Sequence, residues 1–514
     1  MYKRILLLFL IFCFGCEDLL FHEEDNKYHI IDSEEELQDL VNGIYLQISR
    51  VYDQSYFEAL GRSDDINSYP NYNFFSNGHG CSASGFTIDY AEISGNIYLH
   101  FYQAVVIINR LLPVVEEETH RSLLGELYFL RAYCYFQLAR LFGTPPLVTD
   151  IDVNYFIEQP TYAEVYDFIE ADLEKALKML PENAANARIP MESPHKGTAK
   201  ALMAEIYLAM AGFPLNDGDK YAEAARLAGE VIDQAEIYGY KLLDDFACLW
   251  KAGEYRHNTE CIFGLYFNST ERENGNQIAG TYYSKYFYIG GRLPISGTYN
   301  CDFVFFDTYP NSYRKYHSFV TGYYREIEFD TLDGYVTSLK FFPFDPLEDP
   351  CEFVGGAVTR KWFDLEEAIK QDIWYAPSNV TLYLLRYAHV LLTYAEAKAR
   401  SGELDASCYE AVNQIRRRAN HADVHTPGEF DLPSGLTTEQ FLDSVVWERA
   451  WEFCTEPSGR WFDIVRLDIR DEIEANRYIE DRPIHIDESL LNEDWYFFLI
   501  PQEDRWVNPY YWEE

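Results

Sequence analysis

Asp64 and Asp65 are adjacent carboxylates, and two acids flanking a scissile bond are the apparatus of glycoside hydrolysis. In this chain the pair is not distinctive, because 84 of its 514 residues are Asp or Glu and neighbouring acids are background. Other chemistries fail on spacing. The segment HEEDNKYH at 22–29 lacks the His-Glu-x-x-His order of zinc proteases. His421 and His425 follow a helix that ends near Asn420, which denies them a preformed zinc-binding face. GCSASG at 80–85 does not place a serine as a nucleophile elbow requires, and no phosphate-cradling Gly-x-x-x-x-Gly-Lys-Ser/Thr string occurs. Nothing in these residues argues for an enzyme, a metal or a cofactor.

Binding is the better use of what the chain carries. Aromatic residues make up 17% of it, with 42 tyrosines. Tyrosine joins a flat apolar face to a hydroxyl, which suits surfaces that stack on sugars or peptides. Two stretches interleave tyrosine with polar partners and turn formers. SDDINSYPNYNFFSNGHG at 63–80 offers Tyr69, Tyr72 and Asn73, with Phe74 and Asn77 beside them. GTYYSKYFYIGGRLPISGTYN at 280–300 offers Tyr282, Tyr283, Tyr286, Tyr288, Arg292 and Tyr299. A sugar ring presents C–H groups to an aromatic face while its hydroxyls need amide, carboxylate or guanidinium partners, and both stretches hold both kinds of group. Alternation in YYSKYFY also permits a strand with Tyr282, Ser284, Tyr286 and Tyr288 on one side. The competing use of these aromatics is to pin long loops to the body of the protein. Charged residues inside apolar helices read differently. Arg131, Glu448, Arg449, Arg460, Asp463 and Arg466 need buried partners, so a structural ion-pair network is expected for them.

The elements that must position these residues are mostly helices. Leu123, Leu127, Leu130, Cys134, Leu138 and Leu141 recur at spacings of three and four, and Gly143 with Pro145-Pro146 ends that helix. Thr161 and Glu164 form a capping box that opens a helix through Val165, Ile169, Leu173 and Leu177 to Pro181. GTAKALMAEIYLAMAG follows, with five alanines at 199, 201, 204, 209 and 211 that let a neighbour approach closely, and then KYAEAARLAGEVID. From about 237 to 375 short apolar runs such as CIFGLYF are broken by Asn, Gly and Pro, an irregular segment with a few strands. Helices return with VTLYLLRYAHVLLTYAEAKARSG, CYEAVNQIRRRAN and TTEQFLDSVVWERAWEF, the last opened by a capping box of Thr437 and Gln440. The expected fold class is mainly α. It is a tetratricopeptide-like scaffold of helical hairpins with a large irregular loop-rich insertion carrying a few short strands.

The N-terminus and the charge set the compartment. Lys3 and Arg4 precede ten apolar residues, Ile5 to Phe14, half of what a membrane span requires. The run stops at Gly15-Cys16-Glu17-Asp18. That junction resembles the lipobox of bacterial lipoproteins, with Cys13 where leucine is usual, and implies a signal peptide at 1–15 and a lipid anchor on Cys16. A flexible tether at 16–26 then leads to one unit at 27–514, divided into helical (27–236), irregular ligand-face (237–375) and helical (376–514) parts. A formal charge of −42 repels phosphate backbones, which excludes nucleic acid as a partner. Beyond Cys13 and Cys16, eight cysteines are dispersed with no Cys-x-x-Cys pair, so most are expected as core thiols.

Five blocks carry a family resemblance: YFLRAYCYFQLARLFGTPPLV, LLRYAHVLLTYAEAKARSG, VNQIRRRA, WERAWEF…GRWFDIVR and LIPQED…NP. In that order, behind a lipoprotein start, they resemble the SusD/RagB family of Bacteroidetes surface lipoproteins. The resemblance implies a helical scaffold of four hairpins, no catalysis, and capture of glycans, or of peptides in the RagB branch. It also implies partnership with a SusC-like TonB-dependent outer-membrane transporter, and Glu17-Asp18 resembles the acidic export tract to the outer face of that membrane. Three details depart from the pattern. The turn Cys454-Thr455-Glu456-Pro457-Ser458-Gly459 is slightly longer than usual, and the C-terminus ends in NPYYWEE. Tyr98, four residues before Tyr102, stands where relatives often have tryptophan, which adds it to the candidate ligand-binding set. A protein-binding helical scaffold and a cryptic glycoside hydrolase are the remaining, more distant readings.

Overall fold

The computed structural model describes residues 33–52, 56, 60, 63–68, 91–149, 156–267, 299–301, 303–319, 322–329, 336–343, 359–362, 364, 378–469, 496–501, 504–505, 508 and 510. The anchor cysteine Cys16 and the leader therefore lie outside the described residues. Residues 1–43 and 44–514 are two separate compact units. The described part of the first is the opening of helix α1 (Glu34–Val51), where Ser33 Oγ accepts from Glu36 N at 3.1 Å. Three glutamates in that first turn suit the positive end of the helix dipole.

In the second unit, the two-residue strand β1 (Asn67–Ser68) and helices α2 (Ala91–Leu111), α3 (Glu117–Phe142), α4 (Tyr162–Met179), α5 (Lys196–Met210) and α6 (Lys220–Asp233) precede the insertion. Their boundaries follow local chemistry. Thr161 and Glu164 cap α4 reciprocally, and Gly143 ends α3 at φ 76° with its N–H donating to Ala139 O. Helix α3 packs on α2 and α4, and α5 packs on α6. Alanines 199, 201 and 204 are buried in α5, and they leave room for this approach.

The short helix α7 (Ala235–Tyr238) leads into strand β2 (Cys261–Leu265). Inside the insertion the described elements are the two-residue strand β3 (Tyr299–Asn300), helices α8 (Phe303–Thr308) and α9 (Tyr313–Ser318), and the antiparallel pair β4 (Gly322–Phe329) and β5 (Val336–Pro343). Strand β6 (Leu382–Arg386) then pairs antiparallel with β2, Leu265 opposite Leu382 and Cys261 opposite Arg386. This corrects the expectation that the whole run from Val380 is helical. Leu382–Arg386 satisfy their backbone groups on β2 instead, and the helix starts only at Tyr387. The pairing also closes the insertion, because the chain leaves and re-enters the scaffold at one place.

Helices α10 (Tyr387–Arg400), α11 (Ala406–Ala419), α12 (Thr438–Glu452) and α13 (Arg460–Leu467) complete the scaffold. Helix α10 is its centre: it packs on α11 and α12 and reaches back to α6 and α5. Gly229 in α6 allows that approach, since a Cβ there would meet the Tyr394 ring at 3.2 Å. The mainly helical, paired architecture agrees with the expected fold class.

The interior mixes aliphatic and aromatic packing with fully buried ion pairs. Arg131 donates to both oxygens of Asp172 at 2.6 and 2.9 Å and to Asn109 Oδ1 at 2.7 Å. Arg466 grips Glu396 with two bonds of 2.7 Å and reaches Asp463, which Arg449 also contacts at 3.0 Å. The expected structural network is thus present. Burial opposes charge on Glu452, but Arg418, Arg386 and Arg314 outweigh it and hold that carboxyl below the usual range.

Candidate functional site: two tyrosine-rich stretches anchored on one turn

The short strand β1 (Asn67–Ser68) lies in the first tyrosine-rich stretch and β3 ends the second. They pair antiparallel, Asn67 opposite Asn300 and Ser68 opposite Tyr299. The chain therefore enters the run containing Tyr69, Tyr72 and Asn73 at the place where it leaves the run containing Tyr282, Tyr283, Tyr286, Tyr288 and Arg292. Those eight residues lie outside the described residues, and of Tyr299 the backbone pairing is described.

Both strands are fastened to the turn between α12 and α13, the segment singled out in the sequence for its unusual length. Just before β1, Asp64 accepts from Arg460 Nε and Nη2 at 2.9 and 3.0 Å. Asp65 accepts from the backbone N–H of Thr455 at 2.8 Å and from the Ser63 hydroxyl. Just after β3, Cys301 lies buried with its sulfur 3.8 Å from that of Cys454. Further back, the Tyr56 hydroxyl donates to Pro457 O at 2.9 Å.

The rest of the turn is engaged with the scaffold. Glu456 accepts from Arg386 Nε and Nη2, each at 2.9 Å, and from Lys361 Nζ at 2.8 Å. The Ser458 hydroxyl sits 2.8 Å from His389 Nε2, and Thr455 Oγ1 lies 3.1 Å from Thr359 Oγ1. Thr455 adopts φ 61°, a left-handed conformation costly for a β-branched residue, which its backbone bond to Asp65 and its hydroxyl contact help to hold. Gly459 must be small: a Cβ there would stand 2.5 Å from Phe453 O. Seven consecutive residues, Cys454 to Arg460, thus clamp the loop strands to the helices.

Electrostatics rule the acid pair in as structure. Burial pushes the Asp65 carboxyl up to about 6, opposed by its bonds from Ser63 and Thr455. Asp64 is closed in by the Arg460 guanidinium, so neither carboxylate is available to a substrate. Beneath β3, Phe305, Phe306, Tyr309, Phe319 and Ala450 pack around Cys301 and Cys454, with Trp447 and Trp451 at the margin.

Tyr98 is a correction. It is 7% exposed, with ring centroids 4.5 Å from Tyr102 and 5.2 Å from Phe142. Its position on the inner side of α2 makes it a packing residue, and it leaves the ligand-binding set. His421 lies beyond the end of α11 at φ 57° and stacks on Tyr313 at 4.3 Å, so it shares no helical face with His425. Among the described residues no cluster of three His, Cys, Asp or Glu side chains could hold a metal ion. No helix among them is long and apolar enough to cross a membrane.

Comparison with known proteins agrees with this architecture. A family model described as SusD-like, starch-binding and associating with the outer membrane matches residues 18–208, and the SusD family model matches residues 348–512. The chain belongs to the SusD/RagB family. The first match ends within α5, and the second begins inside the insertion and runs through α10 to α13. SusD-like protein P2 of Formosa agariphila is 25% identical over 94% of each chain. The crystal structure of a SusD homologue from Bacteroides thetaiotaomicron superposes with a TM-score of 0.77 at 22% identity, covering 95% of this chain and 98% of that one. A laminarin-binding SusD-like protein has the same fold, with a TM-score of 0.65 at 20% identity over 93% of this chain and 98% of its own. What sequence reasoning missed is the clamp. Its members Asp64, Cys301 and Arg460 are far apart in the chain, and the one local signal was the lengthened turn.

Proposed function

We propose that this chain is a cell-surface glycan-binding lipoprotein of a nutrient-uptake system. Acylated Cys16 holds it to the outer membrane, where it captures oligosaccharide and passes it to a SusC-like TonB-dependent transporter. The observation that carries the reading is the pairing of Asn67 with Asn300, which joins two tyrosine-rich stretches at their bases. A surface built from both would present several aromatic faces beside amides and a guanidinium, the set a saccharide needs. Tyr69, Tyr72, Asn73, Tyr282, Tyr283, Tyr286, Tyr288, Arg292 and Tyr299 are the residues proposed to contact it. The laminarin-binding relative, which shares the fold, supports a glycan as ligand. The burial of Asp64 and Asp65 in ion-pair and backbone contacts supports binding without hydrolysis.

Calorimetric titration of the soluble chain starting at Glu17, against plant, host and microbial glycans and mixed peptides, tests the reading. Saturable heat from one glycan class without release of shorter products is expected. Heat from peptides alone would replace it with peptide capture. Co-isolation of a barrel protein with the full-length chain from outer membranes tests the transporter partnership, and loss of membrane retention in Cys16→Ser tests the anchor.

A further inference from the structure

Cys301 and Cys454 are separated by 153 positions, yet their sulfurs stand 3.8 Å apart in a closed aromatic cluster. Among the described residues the other cysteines have different neighbours. Cys261 receives the Tyr266 hydroxyl at 3.4 Å, Cys408 faces the Glu403 carbonyl and the Asp405 carboxylate, Cys134 lies buried in α3, and Cys248 lies buried in the turn Phe246–Trp250. We infer that Cys301 and Cys454 are a disulfide-forming pair, oxidised in the exported protein to lock the base of the ligand face onto the scaffold.

The inference rests on the export reading, since an exported chain meets an oxidising compartment where such bonds persist. A disulfide brings sulfurs to about 2.04 Å, which asks for an approach of under 2 Å from the observed contact. The oxidant is itself a disulfide, either glutathione disulfide or an exported thiol oxidant. The thiolate of one cysteine attacks an oxidant sulfur, forms a mixed disulfide and expels one thiolate. The thiolate of the second cysteine then attacks the first cysteine's sulfur and expels the other. Two cysteine thiols become one S–S bond, and the oxidant becomes two thiols carrying the two released protons. Burial pushes the Cys454 thiol up, so the folded pair exchanges slowly and the bond forms as the chain folds.

The placement gives the bond a purpose. Cys301 directly follows β3, and Cys454 directly precedes Thr455, whose N–H holds Asp65 before β1. A covalent tie there fixes β3 to the turn that already holds the start of the first stretch by hydrogen bonds, and through the pairing of β1 with β3 it secures the bases of both.

The test is to unfold the full chain, refold it in reduced and oxidised glutathione, block free thiols with iodoacetamide and map unreduced peptides by mass spectrometry. One cross-linked peptide pair carrying Cys301 and Cys454 is expected, with Cys134, Cys248, Cys261 and Cys408 alkylated. Reduction should lower the Tm of the wild type by several degrees and leave Cys454→Ala, measured beside Cys301→Ser, unmoved. Alkylation of both Cys301 and Cys454 after refolding, or pairing of either with another cysteine, would overturn the inference. A bond that forms in glutathione but is missing from protein recovered from cells supports the pairing and counts against the export reading, so the two fail separately.

Discussion

Arg460 donates two hydrogen bonds to Asp64, at 2.9 and 3.0 Å, across 396 positions of sequence and with both side chains buried. This contact fixes the start of one tyrosine-rich stretch to the C-terminal helices. Asp64→Ala removes the carboxylate that accepts both of these buried bonds and should cost about 3–5 kcal/mol. Urea unfolding checks it: the midpoint should fall with little change in slope. A loss under about 1 kcal/mol would mean that the pair does not hold the loop to the helices.

Asp65 gives stability a distinct pH dependence. Burial raises its folded carboxyl to about 6, while the unfolded chain ionises near 3.8. Between those values the folded form binds more protons than the unfolded one, so this group's contribution falls as pH rises from 4 to 6 and is flat above. Asp65→Asn removes that term and should raise stability at pH 7–8 by up to roughly 3 kcal/mol, with little effect near pH 4. Thermal melts of both proteins from pH 4 to 8 measure it, and parallel curves would contradict it.

His195 acts in the opposite direction. Burial lowers its ring to about 4, and Nδ1 accepts from the Gly197 N–H at 3.2 Å while Nε2 meets the Tyr240 hydroxyl at 2.9 Å. The unfolded chain takes up the proton first as pH falls below about 6.5, so this contribution is lost progressively between 6.5 and 4. His195→Gln, which can still accept at the helix start, should flatten the acid side of the stability profile. An unchanged acid limb would sink the assignment.

Gly459→Ala tests the turn itself. Its new Cβ would meet two backbone oxygens, Phe453 O at 2.5 Å and Glu456 O at 2.9 Å, neither of which can rotate away. Overpacking of this kind costs about 1–3 kcal/mol. The Tm should drop, and hydrogen exchange at Asp65 and Thr455 should accelerate more than in α4.

Helices and their caps were readable because they are local. The capping boxes of Thr161 with Glu164 and Thr437 with Gln440, the stop at Gly143 and the alanine-rich face of α5 all depend on residues within a turn or two. Arg131 and Arg466 could be expected to have partners because a charge in an apolar helix needs one, yet Asp172 and Glu396 could not be named from spacing. Strand β6 is ambiguous in sequence because Leu382–Leu385 form an unbroken apolar run with no period, and only distant Cys261–Leu265 decides between strand and helix. Tyr98 looked like a ligand contact because tyrosine serves cores and surfaces alike, and the sequence does not say which way its side of α2 faces. The loop strands paired for a reason that lies in neither stretch alone: each is tied to Cys454–Arg460.

The central claim is that both tyrosine-rich stretches serve one saccharide. Its most direct test is to titrate the glycan bound by the wild type into Tyr72→Ala and Tyr282→Ala, with Tyr98→Phe as the packing control. Loss of an aromatic stacking face is worth about 1–2 kcal/mol, so each alanine variant should bind at least fivefold more weakly while melting like the wild type, and Tyr98→Phe should bind normally. Full affinity in both alanine variants, with the folded state intact, would contradict the account and leave these tyrosines as loop packing.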